Sequence, residues 1–432
     1  MAPPIKYTKL FIDNEWVDAK SGNTFETFNP HDGSVIAKVS RGGKEDIDSA
    51  VSAAKYAFHR NSEWRLFDAS KRGQILNKFA DLMERDIEYL AELESYNNGM
   101  ILQMAKGVVS RGLASIRYVA SLADKIQEDT IPADGDVFSY TLKQPVGVCG
   151  LILPWNAPIL MFLNKVCTAL AAGCTVVVKP PEQTPLTALV LEALLKEAGI
   201  PKGVVNIVTG FGEDAGVALT HHPDVAKISF TGSLEVGKLI QKAAGTNNLK
   251  RVTLELGGKS PLVIMNDADC IFTIYNLTKY ERRPEIHSLT IDRLDVEEVM
   301  MNKVLGYIEK GKQEGAKLQT GGKRVGTTGY YIEPTVFSDV TDDMTIAKEE
   351  IFGPVQRILK FDTLEEVVDR ANATNYGLAA GIFTSDINTA LQYSKLVEAV
   401  QCLVRFYFKY NPHVMFIVGP RSKIQTLFSW DC

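Results

Sequence analysis

Short apolar segments rich in β-branched residues alternate with helical segments between residues 146 and 258, and this alternation constrains the fold more than any other feature. The apolar segments are Val146–Leu153, Thr175–Lys179, Val204–Val208, Ile228–Thr231 and Val252–Leu256. Segments of helical period lie between several of them, at Leu186–Ala198, Ala215–His221 and Val236–Ala243. Continuous apolar strands are typically buried on both faces, and parallel strands must be joined by crossovers. The sequence therefore predicts an α/β fold with a Rossmann-like, doubly wound, mainly parallel sheet, whose C-terminal loops share one edge.

The flanking regions have other patterns. Residues 45–127 are mostly of helical period, and the alternation in residues 136–142 predicts a half-exposed strand of a hairpin arm, with Phe138, Tyr140 and Leu142 on one face. Residues 296–400 predict a second α/β region. Its expected elements are a helix at Val304–Gly315, a strand at Tyr330–Phe337, a helix at Leu364–Asn372 and a strand at Gly377–Phe383. Residues 401–432 are apolar in two stretches without a clear helical partner.

Composition excludes several classes of protein. The 432 residues carry a net charge of −5, which argues against a nucleic-acid or anionic-membrane surface. No apolar run approaches the ~18 residues of a membrane span, and the first residues lack the pattern of a targeting leader, so none is expected. The six cysteines lie apart without a CxxC motif, which indicates reduced thiols and a cytosolic protein. The pair His221-His222 precedes Pro223, so a solvated helix end is favoured over a metal site, and we expect no metal.

Two glycine-containing turns follow predicted strands. Gly210, Gly212 and Gly216 open a helix after one strand, and glycines there allow a ligand to approach the backbone and helix amides. The spacing departs from the dinucleotide fingerprint, so a turn that needs positive φ is an equal alternative. In Phe230-Thr231-Gly232-Ser233, Ser233 is predicted either to cap the next helix or to face a pyrophosphate.

One acidic residue, Glu182, follows a predicted strand, and another, Glu255, lies inside one. Lys179 and Glu182 suit the hydroxyls of a ribose, and Glu182 would repel a 2′-phosphate, which favours NAD over NADP; a surface ion pair is the alternative. Glu255 lies between Leu254 and Leu256 in a strand expected to be buried. Burial would raise its pKa, as a general base requires, although a paired core glutamate has the same pattern.

Five motifs in order identify a family. The segments Pro154-Trp155-Asn156, Lys179–Glu182, Phe230–Ser233, Leu254–Lys259 and Glu349–Pro354 resemble the NAD(P)-dependent aldehyde dehydrogenase superfamily. The similarity is greatest to its broad-specificity cytosolic and mitochondrial, retinal-dehydrogenase-like group. It runs from about Leu10 to Asp269 and from about Val296 to Ala399. It implies a NAD-binding domain (residues 1–131 and 146–258), an oligomerisation arm (132–145) and a catalytic domain (259–400), which leaves a divergent tail (401–432).

The resemblance also implies the chemistry. In the family a cysteine thiolate attacks an aldehyde, a hydride passes to the cofactor, and the thioester is hydrolysed to a carboxylic acid. By position, Asn156 resembles the oxyanion-stabilising amide and Glu255 the base that activates water. Glu350 and Phe352 resemble the pair that holds the nicotinamide ribose and ring. The resemblance assigns the remaining cofactor contacts to Leu153, Pro154, Trp155, Lys179, Glu182, Gly212, Gly216, Phe230, Thr231, Gly232, Ser233, Val236, Leu256 and Gly257.

The chain departs from the family pattern in two places. The Asp-Ala-Asp turn that ends at Asp269 is followed by Cys270 and an unrelated segment up to residue 295, and no Gly-Gln-x-Cys nucleophile motif occurs in the sequence. Cys270 adjoins that turn rather than the cofactor mouth, which argues against it as a substitute nucleophile. After Gln401 the family's asparagine strand, Pro-Phe-Gly-Gly loop and oligomerisation strand are also absent. The abrupt edges suggest alternative splicing or an imperfect gene model, a hypothesis that a transcript without this junction would contradict.

Three functions remain open from the sequence. The chain is an impaired or inactive aldehyde dehydrogenase, a non-catalytic NAD-binding or structural relative, or an unstable variant. The expected partners are a small aldehyde and other copies of the chain, with assembly weakened because the arm lacks its matching tail. No nucleic-acid or membrane partner is expected.

Overall fold

The computed structural model describes residues 2–268, 296–405 and 415–418. The described chain forms two compact units, one up to Leu254 and one from Glu255 onward. No described helix combines the length and the apolar character that a membrane crossing requires.

The first unit is built around a seven-stranded sheet in the order β11-β10-β7-β8-β9-β1-β2. The pairs β10–β7, β7–β8 and β8–β9 are parallel, whereas β1 pairs antiparallel with both β9 and β2. The strands of the first unit, in this sheet and outside it, are β1 (Leu10–Ile12), β2 (Glu15–Val17), β3 (Thr24–Phe28), β4 (Val35–Ser40), β5 (Thr130–Ile131), β6 (Ser139–Tyr140), β7 (Val148–Ile152), β8 (Thr175–Lys179), β9 (Val205–Ile207), β10 (Lys227–Thr231) and β11 (Arg251–Glu255).

Helices connect these strands. They are α1 (Lys44–Ala57), α2 (Glu63–Leu66), α3 (Ala69–Arg85), α4 (Ile87–Asn98), α5 (Leu102–Leu122), α6 (Pro158–Ala171), α7 (Leu186–Ala198), α8 (Val217–His221) and α9 (Leu234–Thr246), with a π-helical turn at Gly212–Gly216 before α8. Helices α4 and α7 end at Gly99 and Gly199, whose left-handed conformations suit glycine and stop each helix.

The doubly wound parallel sheet predicted from the sequence is confirmed. Every residue of β7 and β8 is buried, as continuous apolar runs indicate. The strand that contains Glu255 was expected to be buried, and this was wrong, because β11 is the terminal strand of the sheet order and its residues 252–255 are only half-buried. An apolar run of five residues is compatible with a central or a terminal strand, and only pairing distinguishes them.

The predicted hairpin arm is present as a short ladder. Strands β5 and β6 pair antiparallel, with Thr130 opposite Tyr140. The three side chains predicted on one face are exposed, with exposed fractions of 76% for Phe138, 58% for Tyr140 and 60% for Leu142. The apolar face of the arm is therefore uncovered in the single chain.

The second unit contains two sheets. One has the order β12-β16-β17-β18 and the other β13-β14-β15. The strands are β12 (Leu262–Ile264), β13 (Lys317–Thr320), β14 (Thr335–Ser338), β15 (Val355–Arg357), β16 (Ala379–Phe383), β17 (Gln401–Arg405) and β18 (Met415–Val418). The helices are α10 (Glu298–Gln313), α11 (Thr345–Lys348), α12 (Leu364–Asn372) and α13 (Ile387–Leu396).

Three predictions for this unit need correction. The strand expected at Tyr330–Phe337 begins only at Thr335, after Pro334, which has no N–H for a ladder. The helix expected at Val304–Gly315 begins earlier in the chain and spans Glu298–Gln313. Residues 401–432 were expected to have no clear helical partner, and two segments there pair with strands. Strand β17 pairs parallel with β16, and β18 pairs antiparallel with β17. The remaining residues of that region, and residues 269–295 with Cys270, lie outside the described residues.

Candidate active site

The strand order of the first unit defines a crevice. From β7 the chain proceeds to β8 and β9 in one direction, and β10 then pairs on the opposite side of β7. Ligands of doubly wound sheets bind at the carboxyl ends of the strands where the order reverses, here β7 and β10. Because β7, β8, β9 and β10 are parallel, the turns at Gly212 and Ser233 lie on the same edge, as predicted.

The loop after β7 carries the predicted oxyanion-stabilising residue. The Leu153 amide donates to the Lys179 carbonyl at 3.1 Å, so this loop starts beside the end of β8. Trp155 is half-buried and Asn156 is exposed, immediately before α6 begins at Pro158. The Asn156 amide is thus presented at the edge of the sheet, next to the crevice.

Lys179 and Glu182, the two residues singled out at the end of β8, form an ion pair. The Lys179 ammonium donates to Glu182 Oε2 at 2.9 Å and to the Pro180 carbonyl at 3.3 Å. Lys179 is only 3% exposed, so the alternative of a surface ion pair was wrong. A Cβ on Gly216 would lie 3.7 Å from Lys179 Cδ, so the glycine turn after β9 lies over this lysine.

The glycine turn after β9 does not need positive φ. None of Gly210, Gly212 and Gly216 has a left-handed backbone, so that alternative was wrong. Gly210 is required by packing, since a Cβ there would lie 2.5 Å from the Gly42 carbonyl oxygen. Among the described residues, no atom lies within 4 Å of a Cβ built on Gly212, so that part of the chain leaves open space above the start of the π-helical turn. Helix α8 ends at His221, which confirms the helix-end interpretation of the histidine pair.

The turn after β10 combines a cap with an unsatisfied hydroxyl. Ser233 accepts a hydrogen bond from the Val236 amide at 3.3 Å and caps α9, one of the two predicted roles. The Phe230 ring covers Gly232, where a Cβ would lie 2.4 Å from Cζ. Thr231 Oγ1 is buried without a hydrogen-bond partner among the described residues. Such an atom normally has a protein, water or ligand partner.

In the second unit, Glu350 is held by the loop after β11. Its Oε1 accepts from the Gly258 amide at 3.0 Å, and a Cβ on Gly257 would lie 2.1 Å from its Oε2. Phe352 has φ +57, a conformation that costs energy in a non-glycine residue and is often found at ligand sites. Lys259 donates to the Ile346 carbonyl at 2.7 Å, and burial lowers its pKa to about 7.

Comparisons with known proteins agree with these observations. The pattern of the aldehyde dehydrogenase family matches residues 16–279 and 296–421. Aldehyde dehydrogenase 1A1 of Gallus gallus is 49% identical, over 95% of this chain and 88% of its own length. The chain superposes with a TM-score of 0.88 on the NAD+ complex of a Bacillus cereus aldehyde dehydrogenase, at 40% identity over 96% of this chain and 92% of that one. An NAD-dependent aldehyde dehydrogenase of Sinorhizobium meliloti gives 0.89 at 32% identity, over 99% and 96% of the two chains.

The chain belongs to the aldehyde dehydrogenase family.

The members of this family are oxidoreductases, and the match is longer than the motifs indicated. The motif resemblance stops near Asp269 and Ala399, whereas the family pattern continues to residues 279 and 421. Strand β17 lies within the added region, which agrees with its parallel place beside β16.

The described cysteines of this aldehyde dehydrogenase are poorly placed to act as a nucleophile. Cys149, Cys167, Cys174 and Cys402 are free and buried. Burial raises the pKa of the Cys167 thiol strongly and that of Cys402 to about 11, which opposes formation of a thiolate.

The edge of the first sheet suits a dinucleotide. The open space at Gly212 admits a backbone approach, Thr231 Oγ1 lacks a partner, and the Lys179–Glu182 pair offers a donor and acceptors for hydroxyls. The residues that the sequence analysis assigned to loops after β7, β8, β9 and β10 therefore share one edge of this unit.

Sequence reasoning missed two groups of polar residues. Lys165 donates to Ser229 Oγ at 2.7 Å, and it is the single charged residue of α6, a signal visible in the sequence. Glu94 is fully buried in α4 and accepts from the Ile159 amide at 3.1 Å. Burial raises the pKa of Glu94 to about 7.

Proposed function

We propose that this chain binds NAD at the edge of the first sheet and does not oxidise aldehydes at the rates typical of its family. The observation that carries the binding proposal is the convergence of the loops after β7, β8, β9 and β10 on one edge. The unpartnered Thr231 hydroxyl and the open space at Gly212 support it. The contacts proposed for the cofactor in this unit are Leu153, Pro154, Trp155, Lys179, Glu182, Gly212, Gly216, Phe230, Thr231, Gly232, Ser233 and Val236.

NAD is proposed as the preferred cofactor over NADP. Glu182 has a partly exposed carboxylate, and its partner Lys179 is buried beneath the loop. A carboxylate at this strand end accepts bonds from ribose hydroxyls and repels a 2′-phosphate.

The low rate of aldehyde oxidation is proposed because no residue is assigned as the nucleophile. Bound NAD supplies a hydride acceptor, but a hydride leaves an aldehyde carbon readily only after a nucleophile has created an oxyanion on it. Asn156 stabilises an oxyanion that already exists, and Glu255 assists hydrolysis of a thioester that already exists. The four described cysteines are buried, and Cys270 adjoins the Asp-Ala-Asp turn, so we assign no residue the role of nucleophile. Residues that act as a unit lose most of their value when one is missing.

The remaining assignments are proposals of the same kind. Leu256, Gly257, Glu350 and Phe352 keep their proposed cofactor roles, and Gly258 supports Glu350 through its amide. We also propose the division into a NAD-binding domain, an arm, a catalytic domain and a tail. The proposed location is the cytosol, and self-assembly is proposed to be weakened. A small aldehyde is the proposed substrate class of any residual activity.

The test is NADH formation by the purified chain with propanal as the aldehyde. We expect NAD to raise the thermal unfolding temperature while NADH formation stays at background. Two control variants, Cys270→Ala and Glu255→Gln, show which residues any observed activity depends on. Family-like turnover abolished by Cys270→Ala would show that Cys270 is the nucleophile. Turnover that survives Cys270→Ala but falls with Glu255→Gln would reveal another nucleophile, and either result would defeat the catalytic proposal.

A further inference from the structure

The C-terminal half of α4 carries three buried polar side chains, Glu94, Asn97 and Asn98, which we call the α4 polar cluster. Their exposed fractions are 0%, 1% and 6%. The helix ends immediately afterwards, at the left-handed Gly99. Polar groups this deeply buried destabilise a protein unless they are hydrogen-bonded, so their partners show what the cluster does.

The cluster holds the loop after β7 at two points. The Asn98 side-chain amide donates to the Trp155 carbonyl, and Glu94 Oε1 accepts from the Ile159 amide at 3.1 Å. These two contacts lie on either side of Asn156. The N-cap residue of α6 is Ala157, which has no capping side chain, so Glu94 supplies from another helix the acceptor that α6 lacks.

The same cluster holds the loop after β8. Asn97 accepts from the Leu186 amide at 3.2 Å and donates to the Gln183 carbonyl at 3.2 Å. The hydroxyl of Thr187, at the start of α7, donates to Glu94 Oε2 at 2.9 Å. Glu182 precedes Gln183 directly, so the backbone of the proposed ribose contact is fixed from one side by α4.

We propose that the α4 polar cluster positions the loops after β7 and β8 for cofactor binding, an inference that rests on the NAD-binding function proposed above. One helix end fixes two neighbouring loops, so the separation of those loops is set before the ligand arrives. Removing a cluster side chain leaves buried peptide groups without partners, and the loop relaxes to satisfy them. The bound geometry must then be restored on binding, which lowers affinity.

The experiment compares cofactor affinity with stability in the full chain. The variants are Asn98→Ala, Glu94→Leu, the conservative Glu94→Gln, and Leu93→Ala as a control. Leu93 is 1% exposed on the same helix, and its truncation destabilises the core without removing a loop contact. NADH fluorescence gives the dissociation constant below the unfolding transition of every variant. Hydrogen exchange gives the protection of the Ile159 and Leu186 amides.

The expected result separates positioning from general stability. Asn98→Ala and Glu94→Leu should weaken NADH binding about tenfold, the equivalent of about one hydrogen bond. Glu94→Gln should restore affinity, because an amide still accepts from Ile159 and can donate to Thr187. Leu93→Ala should lower the unfolding temperature and leave the affinity unchanged.

Two outcomes would overturn the inference. Wild-type affinity in Asn98→Ala and in a folded Glu94→Leu would show that the cluster is only structural. If Glu94→Leu does not fold, the test uses Asn98→Ala and Glu94→Gln. NADH affinity and Ile159 protection that stay at the wild-type level in both variants would then also show that the cluster is only structural. Wild-type protein that fails to bind NADH would overturn the proposed function together with the inference.

Discussion

At the scale of single residues, Glu182 carries the proposed choice of cofactor. Its carboxylate is 2.9 Å from the buried Lys179 ammonium. Removing the carboxylate both ends its repulsion of a 2′-phosphate and frees the ammonium to attract one. Replacing Glu182 by a neutral residue therefore favours binding of a 2′-phosphate through both electrostatic effects.

We predict that the unmodified chain binds NADH more tightly than NADPH, and that Glu182→Ser raises the affinity for NADPH about tenfold, the effect of about 1.4 kcal/mol. Fluorescence titration with each reduced cofactor measures both constants. Glu92→Ser is the control, since Glu92 is exposed on α4 away from the loop contacts. Equal binding of the two cofactors by the unmodified chain would contradict the prediction.

A second prediction concerns Gly257 in the second unit. An alanine Cβ there would lie 2.1 Å from Glu350 Oε2, so the carboxylate must move away from the Gly258 amide. We expect Gly257→Ala to destabilise the protein by about 0.5–1.5 kcal/mol, the contribution of this one hydrogen bond, because the end of the flexible Glu350 side chain moves aside rather than being overpacked. The control is Gly306→Ala in α10, where a Cβ meets no atom of the described residues within 4 Å and alanine favours the helix. Urea unfolding that shows equal stability for the two variants would disprove this close packing.

At the scale of elements, α7 contains a buried carboxylate with no role in the proposed site. Glu192 is fully buried, and neither of its oxygens has a hydrogen-bond partner among the described residues. Burial raises its pKa from about 4.5 to about 8. The folded chain therefore keeps this proton to higher pH than the unfolded chain does.

This difference gives stability a defined pH dependence. The contribution is fully present below about pH 4.5, where both states are protonated, and it is lost as pH rises towards about 8. We predict that Glu192→Gln removes this decline, so that its unfolding temperature exceeds that of the wild type increasingly from pH 5 to pH 8. Glu197→Gln on the same helix is the contrast, because Arg85 lowers the pKa of Glu197 and gives the opposite dependence. A constant difference between wild type and Glu192→Gln across this range would refute the assignment.

Elements also show what sequence patterns can and cannot predict. Strands β7 and β8 were located correctly because burial on both faces requires continuous apolar residues. Glu94 and Asn97 in α4 were missed, although they share the buried phase of Leu90 and Leu93. A polar residue in an apolar phase signals a buried network, but its partners, 65 and 89 residues away, are set by tertiary structure.

At the scale of the whole molecule, the features that could be predicted from the sequence follow from general rules of chain topology, and those that could not depend on tertiary contacts. The edge that collects the loops after β7, β8, β9 and β10 was predictable, because parallel strands with right-handed crossovers place their C-terminal loops together. The pairing of β17 and β18 was not, because an apolar segment gives no indication of which strand it joins. The hydroxyl of Thr231 was likewise recognisable as unsatisfied only once its neighbours were known.

Self-association of the whole chain is expected to depend on the arm. The exposed face of Phe138, Tyr140 and Leu142 includes an aromatic pair with ring centroids 5.5 Å apart, and apolar clusters of this kind usually mark contact surfaces. The proposal of weakened self-assembly assigns this face a smaller contact than a complete interface. We predict concentration-dependent, weak assembly in light scattering, shifted towards the monomer by Phe138→Ser with Leu142→Ser. Tyr56→Ser, which removes an equally exposed aromatic side chain from α1, should leave assembly unchanged. A tetramer that persists at low concentration would contradict weakened assembly, and a tetramer insensitive to the double substitution would exclude the arm as its contact.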